Sequence, residues 1–170
     1  MLLKFGEFEP VVDHPVFIAP GSYIIGQVRL FEKVSIWFNA VVRADAARIV
    51  VGPESNVQDG AVLHADPGFP CEIGARVTIG HRAVVHGARV DDSVLIGMGA
   101  IIMNGAHIGH HSIIGAGTVV AQGMEIPPGH LVMGVPGRIV RALTPDEGTR
   151  IAQSSQHYVE LWLNQGWQFH

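Results

Sequence analysis

A chain of 170 residues with net charge −4 and no basic cluster suits neither a nucleic-acid backbone nor an anionic membrane surface. Its single cysteine, Cys71, excludes an internal disulfide and a thiolate metal cluster. No apolar run approaches the ~20 residues of a membrane span, and Met1-Leu2-Leu3-Lys4-Phe5-Gly6 lacks the layout of a signal peptide. One cytoplasmic domain is expected.

Residues 1–17 read as an irregular or strand-forming N-terminal cap. From Ile18 a six-residue period takes over, and its aliphatic anchors are Ile18, Ile24, Leu30, Ile36, Val42, Val51, Val57, Leu63, Ile73, Ile79 and Val85. The series continues as Val90, Ile96, Ile102, Ile108, Ile114, Val120, Ile126 and Val132. Many anchors precede a glycine, as in Ile79-Gly80 and Ile96-Gly97. Such a period predicts short strands and tight corners, three repeats to a coil, with the anchors stacked inside. The fold class is therefore all-β, a parallel β-helix over residues 18–137, closed by Pro127-Pro128-Gly129 and Val135-Pro136-Gly137.

Three interruptions break the period. Val42 to Val51 is nine residues, so three are inserted, in a segment holding Arg43-Ala44-Asp45. Leu63 to Ile73 is ten, so four are inserted directly after His64. Val85 to Val90 is five, one short, and the gap holds His86-Gly87. Irregular segments in a regular solenoid are where function is expected.

Beyond the repeats, Thr144-Pro145-Asp146-Glu147 has the form of a helix start, with Thr as N-cap, Pro at the first position and Glu three after the cap. A helix over residues 144–164 places Ile151, Ser155, Tyr158 and Trp162 on one face, packed outside the solenoid, with Gly166 as its stop.

The count of repeats assigns faces. Val42, Leu63 and Val85 open the same face on successive coils, so Arg43, His64 and His86 stack in one column about 4.8 Å apart. Asp59 and His81 occupy equivalent positions on another face, beside Gln58. His81 thus lies around a corner from His86, and one chain should not close a three-histidine site. A closed threefold ring would do so, taking His64 and His86 from one subunit and His81 from the next. Three imidazoles leave one metal position open, lowering the pKa of a bound water toward about 7. Zn2+ fits such a donor set, as do Fe2+ and Co2+. Arg43, Asp45, Gln58 and Asp59 are the groups that would orient ligands and substrate. Their bland alternatives are a plain intersubunit ion pair for Arg43 and Asp59 and a corner cap for Gln58. His14, His107, His110, His111, His130, His157 and His170 are read as surface or packing residues.

The stretches Val42-Arg43-Ala44-Asp45, Asn56-Val57-Gln58-Asp59 with His64, residues 79–87 and Ile96-Gly97-Met98-Gly99-Ala100 resemble the gamma-class carbonic anhydrases. That resemblance implies a left-handed β-helix, a homotrimer with metal at its interfaces, and reversible hydration of CO2 to bicarbonate by a metal-bound hydroxide. It implies His64, His81 and His86 as ligands, Arg43 and Asp59 as an interface pair, Gln58 as partner of the metal-bound water and Asp45 as support. Tyr158 would approach the site as a related tyrosine does, or else serve as a packing aromatic. The chain departs from the archaeal form of the family at Ala46, where a glutamate is usual, and in its short loop after His64, where Asp66 is the only acid. Two rival functions are a hexapeptide acyltransferase using His81 or His86 as a general base, and a metal-holding scaffold trimer without catalysis.

Overall fold

The computed structural model describes residues 1–164, 166 and 167. The chain winds as a parallel β-solenoid of short strands, and pairing of each strand with those one coil before and after assigns every anchor to one of three faces. The first face stacks Ile24, Val42, Leu63, Val85, Ile102 and Val120. The second stacks Leu30, Val51, Ile73, Val90, Ile108 and Ile126. The third stacks Ile18, Ile36, Val57, Ile79, Ile96, Ile114 and Val132. All these anchors are buried except Ile18, which packs half-exposed against the same core.

Alternation makes this register firm. A one-residue slip would turn every anchor to solvent, at about 1.5–3 kcal/mol for each aliphatic side chain exposed. The glycine after an anchor lets coils approach: a Cβ on Gly97 would lie 2.5 Å from the Ala116 amide nitrogen one coil on.

The interruptions gather where the first face turns into the second. Period counting expects the first insertion around Arg43; the register moves it. Gly26 pairs with Ala44 and Val28 with Ile49, so residues 45–48 oppose Gln27 alone. Arg43 stays in the ladder, and Asp45 begins the bulge. One coil on, His64 and Cys71 both remain paired, leaving residues 65–70 as a projecting loop closed by an Asp66–Phe69 bridge. On the next coil the same corner shrinks to Gly87-Ala88 between His86 and Arg89.

At the far end, Pro127-Pro128 forms a corner and does not end the solenoid. His130–Met133 still stacks on Ile113–Ile114, and Arg138–Ala142 returns antiparallel beside it. Corner residues owe no ladder hydrogen bond, so proline is tolerated there. Helix α1, Pro145–Asn164, starts as expected. Glu147 N donates to Thr144 Oγ1 at 3.3 Å, while Thr144 N donates to Glu147 Oε2 at 2.9 Å. Ile151 and Ser155 are its buried residues, and Tyr158, Leu161 and Trp162 pack on Phe17, Ala19 and Trp37 of the solenoid. Among the described residues no helix is long and apolar enough to cross a membrane.

Candidate metal centre

Arg43, His64 and His86 pair in register on the first face. The two imidazoles are tilted 56° to each other with centroids 4.7 Å apart, and His64 Nδ1 faces His86 Nε2 at 2.8 Å.

Their outer nitrogens decide what that contact means. His64 Nε2 lies 2.9 Å from Asp45 Oδ1, and Arg43 bonds the other oxygen of that carboxylate. Burial raises the Asp45 pKa, but the hydrogen bonds from His64, its own backbone and Arg43 outweigh it and hold the carboxyl below its ordinary value. A carboxylate only accepts, so the proton of neutral His64 resides on Nε2. His86 Nδ1 lies 2.6 Å from Asn104 Oδ1, and Asn104 Nδ2 donates to Asp66 Oδ2 at 2.9 Å. His86 therefore carries its proton on Nδ1. What remains, His64 Nδ1 and His86 Nε2, are two lone pairs aimed at each other. Either a proton that turns one ring into an imidazolium donor or a metal ion between the rings makes that arrangement favourable.

The donor set fits a divalent metal. Two nitrogens on one tetrahedral zinc, each at about 2.0–2.1 Å, stand about 3.4 Å apart. The rings need to part by roughly half an ångström to admit such an ion. Holding the non-ligating nitrogen of each histidine by a carboxylate or carbonyl is the usual support of a metal-bound imidazole.

His81 is held in the same way elsewhere. Its Nδ1 lies 2.8 Å from Asp59 Oδ2, while Asp59 Oδ1 accepts from the Phe38 amide at 3.1 Å. Gln58 is buried beside it, with Nε2 donating to Asn56 Oδ1 at 3.1 Å. Gln58, His81 and Tyr158 line one 430 Å³ cleft against the third face. Burial, and secondarily the Asp59 charge, push the Tyr158 phenol up, so it stays a hydroxyl donor at neutral pH.

Among the described residues, the ligand atoms of His64, Asp66 and His86 converge within 4.8 Å in one chain, and His81 is not with them. Asp66 sits 3.9 Å from His86 Nδ1, the edge turned away from His64 Nδ1. Asn104 was missed by sequence reasoning. The repeat carried the signal: Val85 stacks on Ile102, so Asn104 stands one coil above Gly87.

The other histidines behave as surface groups. His107 bridges Asp91 at 2.9 Å and Glu125 at 3.0 Å, His110 meets His111, and His130 bonds the Pro128 carbonyl. His14 and His157 are exposed, and His170 lies outside the described residues.

Comparison with known proteins bears on this centre. Residues 87–122 match the model of the bacterial transferase hexapeptide (six repeats). A protein of Methanocaldococcus jannaschii named probable carbonic anhydrase is 53% identical over 89% of this chain and 95% of its own length. Gamma carbonic anhydrase 2, mitochondrial, of Arabidopsis thaliana is 37% identical over 94% of this chain, which spans 60% of that protein. The chain belongs to the gamma-class carbonic anhydrase family. In fold it also matches a hexapeptide transferase family protein from Anaplasma phagocytophilum, with TM-score 0.92, 32% identity and 98% of both chains covered. Membership of the carbonic anhydrase family suggests a metal cofactor, which agrees with the facing lone pairs of His64 and His86.

Proposed function

We propose that three copies of the chain form a ring in which His64 and His86 of one subunit and His81 of the next hold a divalent metal. The ring carries out reversible hydration of CO2 to bicarbonate. The observation that carries this reading is the pair of facing lone pairs, each fixed by a charge-anchored hydrogen-bond network. His81 supports it from the other side: Asp59 occupies its Nδ1 edge and leaves Nε2 for a ligand outside its own chain.

The outer surfaces favour assembly through the first face. Its outward row runs Tyr23, Val41, Val62, Val84, Ile101, Val119 without a charge. The corresponding row of the second face is Arg29, Val50, Glu72, Arg89, His107, Glu125. An uncharged, largely aliphatic row is the kind of surface that a subunit interface buries.

A bound metal with an open position supplies hydroxide at neutral pH. Around it, Asp45 and Asn104 hold the imidazoles, and Arg43 reaches from Asp45 toward the interface, where an Asp59 of the neighbouring subunit is its expected partner. Gln58 and Tyr158 sit beside His81 as donors for the oxygen atoms of substrate and product. Zn2+, Fe2+ and Co2+ all suit the donor set.

The transferase-like fold favours one alternative, acyl transfer with a lone histidine as base. Stopped-flow CO2 hydration on protein purified without oxygen, with metal content determined on the same sample, separates the readings. The expected result is about one metal per subunit and hydration that His81→Ala abolishes. Full metal loading without hydration would contradict the CO2 assignment and leave a scaffold role. Acyl transfer from a thioester by metal-free protein would favour the transferase.

A further inference from the structure

The short loop after His64 carries one acid, Asp66, and its contacts run to the His86 ring through Asn104. Asp66 Oδ2 accepts from Asn104 Nδ2 at 2.9 Å, and Asn104 Oδ1 lies 2.6 Å from His86 Nδ1. We infer that Asp66 and Asn104 are positioning residues: Asp66 sets which way the Asn104 amide faces, and the amide sets the His86 tautomer that leaves Nε2 free for metal. This rests on the proposed site at His64 and His86.

The argument is one of forced choices. An asparagine amide can present either its oxygen or its NH2 to a neighbour, and the two choices demand opposite tautomers of a histidine. With Asp66 on the other side, the NH2 must face the carboxylate, because the amide oxygen there would meet a second acceptor. The oxygen is then left for His86, whose Nδ1 must donate. A flipped amide would move the proton to His86 Nε2 and occupy the ligating position.

The loop is built to deliver this carboxylate. Asp66 and Phe69 exchange backbone hydrogen bonds at 3.2 and 2.8 Å, closing a tight turn. The Phe69 side chain then packs where the shortened corner has no side chain of its own. A Cβ on Gly87 would lie 2.4 Å from Asn104 Oδ1 and 2.7 Å from Phe69 Cβ, at a backbone φ of 55°. The inserted loop and the missing residue are thus two halves of one arrangement. Lengthening one coil brings Asp66 over Asn104, and shortening the next makes room for both.

The test uses the full chain, stripped by chelator and titrated with Co2+ against a chromophoric competitor. Asn104→Ala and Asp66→Ala should each weaken Co2+ binding by about 10–100-fold. Together they should cost no more than Asn104→Ala alone, since Asp66 acts through the amide. Exchanging the pair, Asp66→Asn with Asn104→Asp, should restore affinity, because a carboxylate then accepts from His86 and an amide from position 66 backs it. Nitrogen-15 NMR of the metal-free protein should find His86 protonated on Nδ1 in the wild type and redistributed in Asn104→Ala. Wild-type Co2+ affinity in Asn104→Ala, or a lowered apo-protein melting temperature with affinity unchanged, would overturn the inference. His86→Ala is the control for the underlying site: if it still binds Co2+ as the wild type does, the site assignment itself fails.

Discussion

At the scale of single residues the centre is a problem of protons. His64 and His86 present lone pairs to each other only because Asp45 and Asn104 take their other nitrogens. Removing an outer partner should therefore act on metal affinity before it acts on folding. Asp45→Ala should lower Co2+ affinity about 10–100-fold, read by competition titration, while far-UV circular dichroism is unchanged. His64→Ala should abolish binding outright. The stack of Arg43, His64 and His86 was legible in the sequence because each follows an anchor of one face. Asn104 was not, because asparagine at a corner is locally unremarkable. Its role comes from Asp66, 38 residues away in the chain, which no local pattern reports.

At the scale of elements, the anchors revealed the coils but not where the extra residues project. Anchor spacing measures only the length of a coil. The pairing of Ala44 with Gly26 keeps Arg43 in the ladder and moves the bulge to residues 45–48. Likewise Pro127-Pro128 looked like a terminus because proline breaks ladders, yet a corner has no ladder bond to break. The corner at Gly87 has no room for a side chain. Gly87→Ala should destabilise the protein by about 2–4 kcal/mol in urea titration through left-handed strain and overpacking. It should also weaken metal binding, because the new Cβ lands on Asn104. The start of α1 was legible in full from Thr144-Pro145-Asp146-Glu147. There the Arg141 guanidinium, followed by the Thr144 amide, holds the Glu147 carboxyl down to about 2 from an ordinary value of 4.5. A lowered carboxyl pKa adds stability that is fully present above about 4.5 and lost as pH falls through about 2. Glu147→Gln should accordingly lower the melting temperature at pH 7, and the gap from the wild type should close as pH approaches about 2.

At the scale of the whole molecule, the solenoid sorts its surroundings by face. The third face carries α1, the second carries ion pairs such as Arg48–Glu72 and Arg89–Asp91, and the first carries an uncharged row running past His64 and His86. A charge on that row should break assembly: Ile101→Arg is expected to give monomers by sedimentation, and with them loss of tight metal binding. The decisive experiment is subunit complementation. His81→Ala and His86→Ala chains, each unable to build a site alone, are coexpressed, and bound metal is counted in the purified mixed trimers. With two ligands from one subunit and one from the next, every mixed trimer regenerates about one of its three sites. Recovery of that fraction, with no metal on either variant alone, is the result expected. No recovery in mixed trimers, or full loading of the His81→Ala protein, would contradict the shared site.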